Sequence, residues 1–517
     1  MFSGTLFRSL RPTACTTAAL AFAFCPTVSQ AATPTGPAPL SSGVQWTDCQ
    51  ELIGAPVDPA VADCATHRVP LDHADPSAGT VRIVMLRRRA ADPETRRGTL
   101  FVNPGGPGSS GLHTAYRAER FLDAEVLRQY DVVGFDPRGV NLSDPLKCFR
   151  TRTEHDETMG GKSTVPVSPD EVAGTLTAAD GLSAACARNA GPLLPHMTTA
   201  NAAEDLDLLR MAVGEERIAF LGFSYGSLLG ATYANRHPGR VGAMVLDGAV
   251  DAQLRSHNGL EYDRQRALGM EIALTEFLRA CEEAGSSCAF GAPASRPKFD
   301  RIRERLREGA LVLPDGTVMT LGGFTALVAD SLATPSRLPR LADTLALLET
   351  ASRAPVSALS AGPAAEDPYR GNDSETAYNC LDKPYPATPA DTWPSRATRW
   401  ERQAPTFGRM IAFESAPCAT WPYDPHEVER HPGPWNATTD RSILVIGNRY
   451  DPTTRYAFAQ RLTDQLGRAD LVTVDMIGHT ALGLSRCVDD ITADYLLGRG
   501  GPGQGVECRP DEDPFSG

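Results

Sequence analysis

The sequence predicts an α/β protein with a doubly wound, mostly parallel sheet and a large helical domain inserted between two of its strands. Short apolar runs alternate with helical stretches over residues 80–247, which is typical of a parallel sheet covered on both faces. After about residue 253 long helical stretches follow, and the next clear strand run begins only at Ser442. A compact domain does not hold a structureless loop of that length, so we interpret it as an inserted helical domain.

The first 31 residues have the features of a signal peptide. Arg8 and Arg11 supply the positive charge, residues 14–25 are apolar but too short to span a bilayer, and Ala31 ends a stretch suited to cleavage. Residues 32–43 are rich in Ala, Thr, Pro and Gly and indicate a linker or pro-segment. We therefore expect a secreted, extracellular protein with no membrane attachment after cleavage.

The remaining chain is predicted to form a core in two parts with the insertion between them. We assign residues 44–253 to the first part of the core, 254–435 to a helical cap, and 436–517 to the second part of the core. The predicted strands are residues 80–87, 98–103, 130–135, 218–221, 243–246, 442–447 and 470–475. The predicted helices are residues 203–213, 227–234, 262–284, 298–308, 338–353 and 488–497.

Charge and cysteine usage exclude several classes of function. The net charge of −13 argues against a nucleic-acid partner, which would need a basic surface. The sequence has no C-x-x-C motif and no cysteine near a pair of histidines, so we expect neither a metal site nor a cofactor. Apart from Cys15 and Cys25, ten cysteines remain, which suits disulfide bonds in an exported chain. Sequence alone leaves the pairing open, but proximity along the chain suggests Cys49–Cys64, Cys148–Cys186, Cys281–Cys288, Cys380–Cys418 and Cys487–Cys508.

The motif at residues 222–226, GFSYG, lies between a strand and a helix. Residues 218–221 are apolar and strand-like, and residues 227–234 are small and apolar, as in a closely packed helix. A G-x-S-x-G motif in this context is typical of a nucleophile elbow, in which a strained turn exposes the serine hydroxyl at the start of a helix. We therefore predict that Ser224 is a nucleophile.

A serine hydroxyl needs a base and a group that orients the base, and in α/β-hydrolases the chain order is Ser, acid, His. Asp451 follows the strand at 442–447 and lies at its carboxyl end, where ligands gather in open α/β sheets. His479 follows the last predicted strand and is the only histidine after Asp451 in the sequence. We predict that Asp451 and His479 complete a triad with Ser224.

The glycine loop at residues 104–108, PGGPG, follows the strand at 98–103. A tetrahedral intermediate needs two backbone N–H donors directed at its oxyanion. We expect one from Tyr225, directly after the nucleophile, and one from Gly106. A phosphate-binding loop is the alternative, but the G-K-[ST] ending of such loops is missing here.

With these residues, the chain resembles the secreted tripeptidyl aminopeptidases of actinomycetes, serine exopeptidases of the prolyl-aminopeptidase branch of the α/β-hydrolases. The resemblance covers residues 44–508, and its motifs are specific only as a set. They include 103–108 (NPGGPG), 134–139 (GFDPRG), 222–226 (GFSYG), 246–248 (LDG), 418–422 (CATWP), 451–454 (DPTT) and 485–487 (SRC).

The resemblance implies an α/β-hydrolase with a cap over its site and a Ser224–Asp451–His479 triad. It also implies release of short peptides, often tripeptides, from the free N-termini of peptides or proteins. Binding a free ammonium group requires carboxylates in the cap, and the candidates are Glu261, Asp263, Glu375 and Asp382. Two alternatives stay open, a secreted carboxylesterase or lipase on the same fold and a non-catalytic hydrolase-like binding protein.

Overall fold

A nine-stranded sheet forms the centre of the computed structural model, which describes residues 43–515 except 55, 292, 354–368, 370, 387 and 504. The predicted signal peptide and almost all of the predicted linker lie outside the described residues. The strands are β1 Ala62–Pro70, β2 Thr80–Arg88, β3 Gly98–Asn103, β4 Tyr130–Phe135, β5 Ile218–Phe223, β6 Val241–Asp247, β7 Leu311–Val312, β8 Val318–Met319, β9 Ser352–Arg353, β10 Ile443–Tyr450, β11 Ala469–Ile477 and β12 Val506–Cys508.

The strand order of the main sheet is β1-β2-β4-β3-β5-β6-β10-β11-β12. Strands β1 and β2 are antiparallel to each other, β2 is antiparallel to β4, and the other neighbours are parallel. The predicted doubly wound, mostly parallel sheet of an α/β-hydrolase is thus confirmed. Because the parallel strands share one direction, their carboxyl ends meet at one edge, which is where a site is expected in such sheets.

The central strands β3 and β4 are buried along their whole length and are mostly apolar. All six residues of β3 and all six of β4 are buried, since helices cover both faces of the sheet. Two hydrophobic clusters pack against the sheet, one containing Phe101 and Phe220 and the other Val102 and Leu221. Each fully buried side chain of this size stabilises the fold by about 1.5–3 kcal/mol.

Helices connect the strands and make up most of the insertion. Their starts have ordinary capping chemistry; Ser168 and Glu171, for example, form a capping box at the first turn of α5. The helices are α1 Cys49–Ile53, α2 Gly111–Tyr116, α3 Ala124–Gln129, α4 Arg152–Met159, α5 Pro169–Asn189, α6 Thr199–Ala212, α7 Tyr225–Arg236, α8 Ala252–His257, α9 Gly259–Glu283, α10 Ser295–Glu308, α11 Leu321–Ala333, α12 Leu338–Thr350, α13 Asp373–Asp382, α14 Thr392–Gln403, α15 Gly408–Glu414, α16 Tyr456–Gln465 and α17 Arg486–Leu496.

The chain between β6 and β10 forms helices α8 to α15 and has a hydrophobic cluster of its own, with Phe277, Phe299 and Phe324 fully buried. The small antiparallel sheet of β7, β8 and β9 also lies in this stretch. Val172 and Ala179 of α5 join the same cluster, although the predicted boundaries assign α5 to the core. Helix α5 thus packs against the insertion although it precedes it in the chain. The domain boundaries remain a prediction.

Several elements were not predicted from the sequence, and strands β1 and β12 and helix α5 illustrate why. Strand β1 contains His67 and Arg68 and lies at an edge of the sheet, so it has no continuous apolar run. Strand β12 has only three residues, and it is attached to the fold by the disulfide bond of Cys508. Helix α5 consists largely of small residues, which give a weak hydrophobic period. In each case tertiary packing decides the structure more than the local pattern does.

Five disulfide bonds are present among the described residues, and each joins cysteines that are close along the chain. The pairs are Cys49–Cys64, Cys148–Cys186, Cys281–Cys288, Cys380–Cys418 and Cys487–Cys508. Disulfides of this number are typical of proteins that fold in an oxidising compartment. No helix in the described part of the chain has the length and apolar character needed to cross a membrane.

Candidate active site

Ser224 lies at the tip of the turn between β5 and α7. Its backbone has φ 55° and ψ −121°, a conformation that is strained for a residue with a side chain. The glycines on either side permit this turn, because a Cβ at Gly222 would lie 2.2 Å from Gly226 O and one at Gly226 would lie 2.6 Å from Asn103 O. The turn presents the Ser224 hydroxyl at the start of α7, as the motif predicted.

Asp451 is held in a loop directly after β10. Its carboxylate is buried, and Oδ1 accepts hydrogen bonds of 2.8 Å from the backbone N–H groups of both Thr453 and Thr454. The Thr454 hydroxyl donates to Oδ2 at 3.0 Å. These three donors fix the orientation of the carboxylate.

His479 follows β11 and faces this carboxylate. Its Nδ1 lies 2.9 Å from Asp451 Oδ2, and its backbone N–H donates to the Ala333 carbonyl at the end of α11 in the insertion. Burial alone would lower the pKa of His479, but the charge and hydrogen bond of Asp451 outweigh this and raise the pKa above its ordinary value. Asp451 therefore orients the ring and stabilises its protonated form, which are the two tasks of the acid in a triad.

Asp247 connects the serine turn to the histidine loop, a role that the sequence did not indicate. Its backbone carbonyl accepts a 2.8 Å hydrogen bond from Ser224 N–H. Its fully buried carboxylate accepts hydrogen bonds from the backbone N–H groups of Ala481 and Leu482, at 2.9 Å and 3.0 Å to Oδ2. Burial raises the pKa of Asp247 to about 6, and the two N–H donors oppose that shift. The signals in the sequence were an acid at the carboxyl end of a buried strand and its place in the 246–248 (LDG) motif, and neither indicated this role.

Ser224 and His479 lie on the same rim of the sheet, with Asp247 and Gly248 between them. A Cβ at Gly248 would come within 3.0 Å of His479 Cε1, so the ring lies directly against this backbone. Among the described residues no hydrogen bond joins Ser224 Oγ to the ring, whereas the bond from His479 to Asp451 is formed. Catalytic hydrogen bonds are often long in the free enzyme and shorten when substrate binds.

The glycine loop after β3 packs against the serine turn. The Gly105 N–H donates to Asn103 Oδ1 at 3.0 Å, and a Cβ at Gly105 would lie 2.5 Å from the Phe223 carbonyl oxygen. Gly106 follows with φ 104° and lines the same cavity as Ser224 and Tyr225. Tyr225 begins α7, where backbone N–H groups have no acceptor within the helix. Both residues expected to supply the oxyanion donors thus lie beside the serine.

A cavity of about 340 Å³ opens beside Ser224, between the sheet edge and helices of the insertion. Helices α4 and α5 also line it, through Met159, Thr175 and Leu182. Its charged lining residues are Lys162, Arg255, Asp263, Arg266, Glu375, Lys383 and Glu414. The cavity is therefore polar, and several of its charges are paired with each other.

Most of the acids in this cavity already have partners. Asp263 accepts a 3.0 Å hydrogen bond from Lys383 Nζ and a 2.6 Å hydrogen bond from the Tyr385 hydroxyl. Glu414 forms an ion pair with Arg266 at 2.8 Å. Glu375 is in no ion pair among the residues that the structure describes. Desolvation by the surrounding protein, and then the nearby charge of Glu414, raise the pKa of Glu375. The charges of Arg266, Lys383 and Lys162 oppose this shift, but none of them forms an ion pair with Glu375 among the described residues.

The other two sequence candidates for ammonium binding lie elsewhere. Glu261 pairs with Arg264 at 2.6 Å, and Asp382 accepts hydrogen bonds from the backbone and hydroxyl of Thr199. Neither of them lines the cavity beside Ser224. In the described ranges of the chain, no group of three or more His, Cys, Asp or Glu side chains is placed to hold a metal ion.

We expect Asp247→Asn to lower kcat and to move the acidic limb of the kcat/KM profile to lower pH. The side-chain NH2 group of the asparagine would lie near the Ala481 N–H, and because both groups are donors the loop that carries His479 would be displaced. A misplaced catalytic group costs about 10- to 100-fold in rate. The substitution also removes a negative charge that raises the pKa of His479, so the ring loses its proton at lower pH. Asp131→Asn, a buried acid of β4, is the control. An Asp247→Asn profile with an unmoved acidic limb would contradict this role.

Comparisons with known proteins agree with this geometry. Residues 98–293 match the family model described as alpha/beta hydrolase fold, and residues 404–508 match the one described as TAP-like protein. The chain is 31% identical to the tripeptidyl aminopeptidase of Streptomyces coelicolor, over 92% of this chain and 87% of that protein. It is 29% identical to serine protease Hip1 of Mycobacterium tuberculosis, over 91% of each chain, and 30% identical to carboxylesterase B of the same species, over 90% of each chain.

Proposed function

Because this chain belongs to the TAP-like family of α/β-hydrolases and is a serine hydrolase, we propose that it is a secreted exopeptidase that releases short peptides, tripeptides in the first instance, from free N-termini. The observation that carries the proposal is Glu375, a carboxylate without an ion-pair partner among the described residues, in the cavity beside Ser224. A substrate ammonium group would give this carboxylate a direct ion-pair partner, in addition to the more distant charges of Arg266, Lys383 and Lys162. The five disulfides support export to an oxidising compartment.

The proposed reaction is acyl transfer through Ser224. His479 takes the hydroxyl proton as Oγ attacks the scissile carbonyl, while Asp451 orients the ring and stabilises its positive charge. The N–H groups of Gly106 and Tyr225 stabilise the oxyanion of the tetrahedral intermediate. His479 then gives the proton to the departing amine, and water, activated by the same ring, releases the peptide from Ser224.

Helix α13 supplies the proposed binding site for the substrate ammonium. Glu375 and Asn379 are one turn apart on α13, and both line the cavity. A substrate ammonium beside Glu375 would stabilise its charged form and so lower its raised pKa, which makes binding favourable. The ammonium would also reduce the repulsion between Glu375 and Glu414. The distance from this anchor to Ser224 would then limit the length of the released peptide.

We expect Glu375→Gln to lower kcat/KM for a tripeptide amide with a free N-terminus by about 10- to 100-fold, the value of a hydrogen bond to a charged group. The loss should be much smaller for the N-acetylated peptide, which has no ammonium. Glu261→Gln is a matched control, because this acid lies in the same insertion but pairs with Arg264 outside the cavity. An equal loss on both substrates would argue against ammonium binding by Glu375.

The similarity to a carboxylesterase favours a second candidate, an esterase that uses the same serine. Comparison of a free tripeptide amide, its N-acetylated form and a simple short-chain ester separates the two functions. The exopeptidase should prefer the free amine strongly, and mass spectrometry of one unblocked peptide should show release from the N-terminus. If the blocked peptide and the ester are hydrolysed as fast as the free peptide or faster, the exopeptidase proposal fails.

A further inference from the structure

A second depression borders His479 and is separate from the cavity beside Ser224. It has a volume of about 410 Å³ and is more open to solvent than that cavity. We call it the His479 groove. It is lined by Pro104, Thr114, Arg120, Phe121, Phe223, His479, Thr480, Leu482, Gly483 and Leu484.

The groove and the catalytic cavity lie on opposite sides of the serine turn. Ser224 and Tyr225 line the cavity, whereas Phe223, one residue earlier, lines the groove. The glycine loop shows the same alternation, since Gly106 lines the cavity and Pro104 lines the groove. The backbone that carries the nucleophile and the expected oxyanion donors therefore forms the wall between the two spaces.

The lining of the groove is mainly apolar. The rings of Phe121 and Phe223 pack edge to face, with centroids 5.2 Å apart and planes at 90°. Leu482 is buried, whereas Leu484 is 38% exposed. An apolar surface with an aromatic pair and an exposed leucine is suited to an apolar or aromatic side chain.

The chemistry of the reaction decides which part of a substrate reaches this groove. His479 gives its proton to the nitrogen of the leaving amine, so that nitrogen must come within hydrogen-bond reach of the ring. The residue that begins at that nitrogen then lies on the His479 side of the serine turn. The cavity with Glu375 would hold the N-terminal part of the substrate, and the groove is the adjoining space on the leaving side.

We propose that the His479 groove is the leaving-group subsite and selects an apolar or aromatic residue directly after the scissile bond. This inference rests on the proposed function, because it assumes a peptide whose N-terminal part lies in the cavity. The open form of the groove also suits an exopeptidase, since a long chain must leave the site on this side. Phe121, Phe223 and Leu484 are then specificity-determining residues.

Partitioning of the acyl-enzyme tests the groove directly. A tripeptide methyl ester acylates Ser224 with a leaving group too small to use the groove, and added phenylalaninamide or glycinamide then competes with water for the acyl group. The ratio of aminolysis product to hydrolysis product measures how well each acceptor competes with water. Because both products come from the same acyl-enzyme, this ratio is independent of any change in the rate of acylation. For the unaltered protein we expect phenylalaninamide to be preferred over glycinamide by about 10- to 100-fold.

Phe121→Ala and Leu484→Ala should each reduce this preference several-fold. Leu484 is partly exposed, so its replacement keeps the test valid if the Phe121 variant fails to fold. Leu347→Ala removes a leucine of similar exposure from α12 and should keep the preference of the unaltered protein. An equal use of both acceptors by the unaltered protein, or an unchanged preference in both groove variants, would overturn the inference.

The same assay separates failure of the inference from failure of the proposed function. If esters acylate the enzyme but free peptides are not cleaved, the exopeptidase proposal fails while the acceptor preference still reports on the groove. If peptides are cleaved from their N-termini but the acceptor preference is absent, only the groove assignment fails. If no donor acylates Ser224, both fail together.

Discussion

Ser224→Ala should reduce kcat on a tripeptide amide by at least about 10⁴-fold, since the reaction then has no nucleophile and only binding and the oxyanion donors still contribute. The fold should survive, because the turn is held by backbone contacts, including the Ser224 N–H to Asp247 carbonyl hydrogen bond, which an alanine keeps. Steady-state kinetics and thermal unfolding of the purified variant measure the two effects separately.

A fluorophosphonate probe provides a second measurement on the same variant. It should label the unaltered protein at Ser224 and leave Ser224→Ala unlabelled. Ser395→Ala, a change on the exposed side of α14, is a matched control that should keep both labelling and turnover. Turnover of Ser224→Ala within tenfold of the unaltered protein would exclude the acyl-enzyme mechanism, and absence of labelling in the unaltered protein would favour a non-catalytic binding protein.

Asp451→Asn should reduce kcat by about 10⁴-fold while the loop keeps its shape. An asparagine can keep its amide oxygen at the position of Oδ1, where it still accepts from the N–H groups of Thr453 and Thr454. Its NH2 group then occupies the position of Oδ2, 2.9 Å from His479 Nδ1. Because an NH2 group donates, Nδ1 must become an acceptor and the ring proton moves to Nε2, where it blocks proton transfer from Ser224.

The pH dependence of Asp451→Asn gives an independent check. Asp451 is the main cause of the raised pKa of His479, so its neutralisation should lower that pKa and move the acidic limb of the residual activity to lower pH. Asp475→Asn, an exposed acid on β11 just before the histidine loop, should change neither kcat nor the profile. A loss of less than tenfold for Asp451→Asn would show that another group orients His479.

The elements that define the site were predictable because their signals are local. A short apolar run next to a glycine-flanked serine specifies a strand, a strained turn and a helix, since few other residues permit that geometry. The order of Ser224, Asp451 and His479 along the chain, each directly after a strand, then places them at one sheet edge. The structure has Asp451 and His479 in hydrogen-bond contact there.

Other parts of the site depend on contacts between residues distant in sequence. The residues next to Asp247 in the sequence do not indicate that it holds the histidine loop. That role depends on the N–H groups of two residues that lie 234 and 235 positions later in the chain. Glu375 could not be separated from Glu261, Asp263 and Asp382 until packing showed which acids already have partners. The contribution of α5 to the cavity depends on how its small side chains fit the insertion.

The sequence by itself determined the parallel sheet, the interruption of that sheet by a long insertion, and the identity of a serine, an acid and a histidine suited to acyl transfer. Hydrophobic period and backbone strain act over a few residues, and chain order can be read directly from the sequence, so all three can be recognised without a structure. Only the tertiary structure decided which carboxylate in the cavity forms no ion pair with the described residues, how Asp247 joins the two catalytic loops, and that His479 borders a second, apolar space. These features depend on burial and charge pairing, which exist only once distant segments have packed together.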